Sequence, residues 1–165
     1  MQLLDSLVLF HTGIVVDDLD ASMAAMSAFS PVRWAPPRRA NTPMMSPGGH
    51  IPREVRFTYS LDGPHHIELL EQVDPTPYES LTGGRRIHHL GYLTDNLEAD
   101  ARRLDDLGFR QEMYGFDEHG AISRASYHYS ELFPGMWIEL VDAETWNDFT
   151  TWIEKAIDAE QDTNG

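Results

Sequence analysis

The sequence predicts an α+β fold of two tandem βαβββ modules followed by a C-terminal helix, and two observations carry that prediction. His11-Thr-Gly-Ile-Val-Val-Asp-Asp-Leu-Asp-Ala21 in the first half returns in unbroken register as His89-Leu-Gly-Tyr-Leu-Thr-Asp-Asn-Leu-Glu-Ala99 in the second. A repeat of that length marks the duplication of one supersecondary unit. Each copy also closes on a strand-like run with a glutamate between aliphatic residues, Ile67-Glu68-Leu69 and Ile138-Glu139-Leu140. The expected division is a first module over residues 1–73, a linker over 74–84, a second module over 85–143, and a helix with its tail over 144–165.

Taken in order, residues 7–16 form a β-rich apolar run that ends at Asp17-Asp18, where an aspartate can cap a helix. The apolar face of that helix is Leu19, Met23, Met26 and Phe29, and Ser30-Pro31 stops it. The second copy supplies Leu97, Ala101, Leu104 and Leu107 in the same places, with Gly108 after the helix end. A short strand is expected after each helix, near 32–34 and 109–113. Two longer strands follow in each copy: 54–59 and 65–71 joined by Leu61-Asp-Gly-Pro64, then 121–129 and 136–142 joined through Phe133-Pro-Gly135. Residues 35–52 carry five prolines and two glycines and read as an irregular segment, either a functional lid or a stretch without fixed structure. Over residues 146–159, Trp146, Phe149, Trp152, Ile153, Ala156 and Ile157 make one helical stripe. That stripe must be covered by the chain's own sheet or by a second copy, so a homodimer is one of the two arrangements expected.

Composition narrows the function. The 165-residue chain has no cysteine, which excludes disulfides, thiolate metal sites and cysteine nucleophiles. Its formal charge of −15 argues against nucleic acid and anionic membranes as partners. No apolar run reaches transmembrane length, and Met1-Gln-Leu-Leu-Asp5 lacks the features of a signal peptide, so the expected location is the cytoplasm. Arg33, Arg38, Arg39, Arg53 and Arg56 cluster in one stretch. They either meet an anionic substrate group or pair with neighbouring acids.

The chemistry lies in the repeated residues. Strand alternation puts Glu68 on one face with His66 and Leu70, and Glu139 on one face with Trp137 and Val141. A carboxylate among such neighbours costs several kcal/mol unless a cation or hydrogen-bond donors compensate it. Taken singly, a glutamate on a wet strand face or a hydrogen-bonded core histidine would be ordinary. Finding both residue types in matching slots of both copies points instead to a metal site. Imidazole nitrogen with carboxylate oxygen suits Zn, Ni, Co, Mn or ferrous iron better than Ca. Two neutral imidazoles and two carboxylates balance one divalent ion. Alternation sends His88 and His65 to the face opposite His89 and His66. Whether His128, Tyr127 or Tyr129 lines a cavity depends on a register that the sequence leaves open, and His50 and His119 read as surface residues.

On these residues the chain resembles the vicinal oxygen chelate superfamily, which includes glyoxalase I, methylmalonyl-CoA epimerase, extradiol dioxygenases, fosfomycin-resistance enzymes and bleomycin-binding proteins. The motifs that carry the likeness are residues 11–19, Ile67-Glu-Leu-Leu-Glu71, His88-His-Leu-Gly-Tyr92 and Trp137-Ile-Glu-Leu-Val141. The resemblance implies a curved mixed sheet around a central metal cavity, with His11, Glu68, His89 and Glu139 as ligands of one divalent ion. It further implies a small-molecule substrate with a carbonyl or vicinal oxygens. Glu139 and Glu68 would be the catalytic bases of an isomerase or epimerase that removes a proton α to a chelated carbonyl. The alternatives are a glyoxalase-type lyase, an extradiol-type dioxygenase and a non-catalytic drug-binding protein. The His88-His89 pair is similar to the epimerases, whereas Glu68 stands where they carry glutamine and is more like glyoxalase I.

Overall fold

The computed structural model describes residues 7–41, 43–51, 54–72 and 87–163. Its first half holds β1 (Val8–Val16), α1 (Leu19–Phe29), β2 (Arg38–Asn41), β3 (Met44–Ser46), β4 (Gly49–Ile51), β5 (Glu54–Tyr59) and β6 (His66–Gln72). The second half holds β7 (Ile87–Thr94), α2 (Leu97–Asp106), β8 (Arg110–Phe116), β9 (Ile122–Tyr129), β10 (Trp137–Asp142) and α3 (Ala143–Thr163). The expected linker at 74–84 lies outside the described residues.

All ten strands join one curled mixed sheet in the order β2-β5-β6-β1-β7-β10-β9-β8-β3-β4. The pattern repeats about its centre: β1 runs parallel to β6 as β7 runs parallel to β10, and β1 and β7 meet antiparallel. Each half is therefore βαβββ, and the halves share the sheet's middle seam.

Two expectations need correction in the first half. The strand near 32–34 is a single bridge between Trp34 and Ser60, and the true counterpart of β8 is β2, which pairs with β5. Residues 35–52 are also not irregular, because they contain β2 and the β3–β4 hairpin, whose β3 pairs with β8 of the other half. β2 and the β3–β4 hairpin lie at opposite ends of the strand order, yet only two residues separate β2 from β3 in sequence. Since a chain spans at most about 3.6 Å per residue, the two edges must approach each other. The proline-rich stretch is thus a strap that draws the curl nearly shut.

The helices differ in how they pack. On the outer face, α2 buries Leu97, Ala101 and Leu104 against Leu140 of β10. α1 buries only Leu19, while Met23 and Met26 are half-buried and Phe29 is 77% exposed, so its expected apolar face is mostly uncovered. The caps are matched: the Asp18 side chain accepts from the Ala21 N–H at 2.9 Å and the Asn96 side chain accepts from the Ala99 N–H at 3.1 Å. α3 lies inside the curl of its own chain. Its Trp146, Phe149 and Trp152 rings pack edge-on or tilted against Phe57 and Tyr59, with centroids 5.5–6.3 Å apart. No described helix is long and apolar enough to cross a membrane.

Candidate metal centre

The duplicated residues meet at the central seam. In the antiparallel register of β1 and β7, His11 lies opposite Gly91 and His89 lies opposite Gly13. The parallel pairs then set Glu68 beside Gly13 and Glu139 beside Gly91. Two neighbouring rows result across the sheet, Tyr59–Glu68–Gly13–His89 and Tyr127–Glu139–Gly91–His11. The glycines make the rows workable. A Cβ on Gly91 would fall 1.9 Å from Cε1 of His11, and one on Gly13 would fall 2.1 Å from Cε1 of His89, so each imidazole occupies the volume a side chain would take in the other copy. Laid across its glycine, each ring reaches the glutamate beyond it.

The outcome is a compact donor cluster. His11 Nε2 stands 3.1 Å from Glu139 Oε2 and 3.4 Å from Glu68 Oε2, and His89 Nε2 stands 3.1 Å from Glu68 Oε2 and 3.2 Å from Glu139 Oε2. The two Nε2 atoms are 2.7 Å apart, and one ligand atom from each of the four residues lies within 4.8 Å of all the others. With metal–ligand bonds of about 2.1 Å, neighbouring ligands sit about 3.0 Å apart in an octahedron and about 3.4 Å apart in a tetrahedron. The carboxylate–imidazole separations fall in that range. All four side chains are buried, and Oε2 of both glutamates lacks a hydrogen-bond donor. Buried carboxylate oxygens without donors call for a cation, and the four residues fit a divalent ion.

Without an ion, the cluster must satisfy itself with protons. Burial alone would lower the His89 pKa, but the negative charges of Glu139 and Glu68 close beside it outweigh that and raise His89 to about 9. His11 is displaced in the same direction by the same balance. Burial alone would raise Glu68, yet His11 and His89 hold it at about 2, and Glu139 is likewise held well below the usual carboxylate range.

A tyrosine packs edge-on to each histidine. Tyr59 stands 5.4 Å from His11 at 87° and Tyr127 stands 5.5 Å from His89 at 84°. Both tyrosines line a cavity of about 100 Å³ together with Glu68 and Glu139, under Met44 from the strap and Phe149 from α3. His128 faces elsewhere, donating from Nδ1 to the Phe109 carbonyl while Ser126 Oγ donates to its Nε2, and Tyr129 leans on Trp137. His50 and His119 are exposed as expected.

His88 departs from expectation. The β1–β7 register slips at Gly13/Ile14, where His88 is the extra residue, and this bulge keeps it buried beside His89 instead of sending it outward. Its Nδ1 is 2.9 Å from Nδ1 of His89, close enough to fix that ring's orientation. Nδ1 of His11 is buried with no hydrogen-bond partner. The arginines of the first half are paired: Arg33 with Asp62, Arg39 with Glu54, Arg56 with Asp20 and Glu71, while Arg38 lies 4.2 Å over the Trp152 ring. Arg53 lies outside the described residues.

The chain belongs to the Glyoxalase/Bleomycin resistance protein/Dioxygenase superfamily, whose sequence profile matches residues 10–127. Among solved structures it is similar to a hypothetical protein from Bacillus halodurans C-125, at 17% identity and a TM-score of 0.62, covering 84% of this chain and 95% of that one. It is similar to methylmalonyl-CoA epimerase from Mycobacterium tuberculosis, at 22% identity and a TM-score of 0.56, covering 81% and 86%. A methylmalonyl-CoA epimerase in complex with methylmalonyl-CoA and NH4+ matches at 19% identity and a TM-score of 0.60, covering 84% and 95%. At these identities the likeness establishes the fold. No curated protein is significantly similar to the chain.

Proposed function

We propose that the protein is a divalent-metal-dependent isomerase or epimerase that removes and returns a proton α to a carbonyl. His11, Glu68, His89 and Glu139 would hold the ion. A divalent ion bound there supplies Lewis-acid polarisation of a carbonyl oxygen, which lowers the cost of ionising the neighbouring C–H bond. The observation that carries the reading is that Glu68 and Glu139, from equivalent strands of opposite halves, both line the one cavity. A carboxylate has two oxygens, so one group can hold an ion and also move a proton. Glu139 takes the proton and Glu68 serves as its counterpart when the proton returns from the other side. Tyr59, Tyr127 and Phe149 wall the cavity and exclude bulk water from the exchange.

Proton NMR in D2O tests the reading on metal-loaded protein, with methylmalonyl-CoA and simple 2-oxo acids as first compounds. Deuterium should enter the α position and should not enter with Glu139→Gln. Failure of exchange in every compound that binds the loaded protein overturns the mechanism. Glu68 favours a second reading, a glyoxalase-type lyase, which turnover of a glutathione or mycothiol hemithioacetal would establish. Oxygen uptake with a catechol would favour a dioxygenase. Protein that purifies free of metal and binds ligands equally well as Glu139→Gln would favour sequestration.

A further inference from the structure

Arg124 is on β9 next to Ala125, and both line the metal cavity. Strict alternation forbids that for adjacent strand residues. The explanation is a break in the β8–β9 ladder: Tyr114 pairs with Ser126 but Phe116 pairs with Ile122, so β9 carries extra residues between those two pairs. Arg124 sits in that bulge with φ of 67°, the one non-glycine residue among those described in the left-handed region. Gly115 of β8 makes room for it, since a Cβ there would lie 2.5 Å from the Ser123 carbonyl oxygen. A side chain other than Gly, Asn or Asp in this conformation is costly and persists where the surroundings impose it, often at a ligand site. Bulges re-aim side chains in the same way.

The charge of the site gives the bulge a purpose. The other described arginines have an acid or a ring as partner, but no described acid lies within ion-pair reach of Arg124. Two neutral imidazoles, two carboxylates and a divalent ion would sum to zero, which leaves Arg124, solvent-exposed at the cavity wall, as a positive charge with no described acid beside it.

We infer that Arg124 is a specificity-determining residue that receives an anionic group, a carboxylate in the simplest case, on the substrate at a distance from its metal-chelating oxygens. The inference rests on the metal-centred reading above and adds the substrate class, a chelating carbonyl compound with a second, anionic end.

The test is a calorimetric comparison of 2-oxoglutarate with 2-oxopentanoate on metal-loaded protein. Both have a 2-oxo acid head and a five-carbon chain, and only the first has a far carboxylate. Metal affinity is measured separately on the same preparations, so failure to bind metal refutes the metal-centred reading and not the role of Arg124. Native protein should prefer 2-oxoglutarate by roughly tenfold or more, the size expected for a charge-assisted hydrogen bond. Arg124→Ala should abolish the preference with metal affinity unchanged. Arg124→Gly, which accommodates the positive φ, should abolish it too, and this second variant guards against misfolding of the first. Equal affinities in native protein, no binding of 2-oxoglutarate, or a preference that survives both substitutions overturns the proposal.

Discussion

The two halves of this chain place the same four residue types in equivalent positions, His11, Gly13, Tyr59 and Glu68 against His89, Gly91, Tyr127 and Glu139, with each row taking its histidine from the other half, yet the surroundings differ. His89 is braced by His88, whereas Nδ1 of His11 has no partner. The first half carries the strap and an under-packed helix, and the second carries a well-packed helix and then α3. The centre is thus symmetric where the four candidate donors converge, while the periphery differs between the halves in how its elements pack. Symmetry at the centre is the claim most open to being broken. His11→Ala and His89→Ala should each lower metal affinity at least about 100-fold, because each removes one donor from a buried set. Titration with Zn(II) or Co(II) measures it. Retained affinity in either variant would show that the histidine removed is not a ligand.

The glycines sharpen the comparison. Gly91→Ala would drive a methyl group into the His11 ring and Gly13→Ala would drive one into the His89 ring, at 1.9 and 2.1 Å from the nearest ring carbons. Each should reduce metal affinity roughly 10–100-fold by turning a ligand away. Crossed dependence is the diagnostic outcome: an alanine in one half disturbs the histidine of the other, seen as a shifted imidazole resonance.

How much of this could be read beforehand follows from what the sequence pattern can encode. His11, His89, Glu68 and Glu139 were legible because they sit in fixed register with their motifs, and strand alternation put the glutamates on the faces they occupy. The glycines were equally visible in His-Thr-Gly and His-Leu-Gly, but their role appears only when β1 and β7 pair and each ring needs a gap opposite. Tyr59 and Tyr127 were obscured because the turns between β5 and β6 and between β9 and β10 differ in length, so the tyrosines lie at unequal spacings from their glutamates. His88 and Arg124 were illegible for one shared reason. A bulge inverts the inside–outside parity of a strand, and nothing in the residue types announces it. The strap was misread because its prolines suggested irregularity, when Pro37 and Pro43 stand just before the short strands β2 and β3, a place where proline is tolerated.

The pH dependence follows from the paired histidines. His89, displaced upward to about 9, holds a proton through neutral pH in the metal-free protein. Its contribution to stability is therefore complete below the unfolded value near 6.5 and is lost as pH rises through about 9. Metal uptake has the opposite sign, because that proton must leave before the imidazole can bind an ion. Apparent affinity should fall by up to roughly tenfold per pH unit below 9, for each proton displaced. Calorimetry in buffers of different ionisation enthalpy should detect proton release at pH 7. A pH-independent affinity would mean that the imidazoles are already neutral.

The smallest expected effect separates the helices. Asp18 and Asn96 cap α1 and α2 with one side-chain hydrogen bond each, and either replacement by alanine should cost about 1 kcal/mol. The equal cost should have unequal consequences. α2 is anchored by three buried apolar residues and the buried Asp100, so Asn96→Ala leaves its amides opening mainly with global unfolding. α1 is anchored by Leu19, and it is tied further by its Leu19 N–H donating to Glu71 Oε1 at 3.2 Å and by Arg56 pairing with Asp20 at 2.8 Å. Exposed ion pairs of that kind contribute little. Asp18→Ala should therefore release α1 as a local unit, with hydrogen exchange from Met23 to Phe29 quickening well beyond that of α2 at the same global stability. Equal protection of the two helices in both variants would show that α1 gains packing from contacts outside this chain.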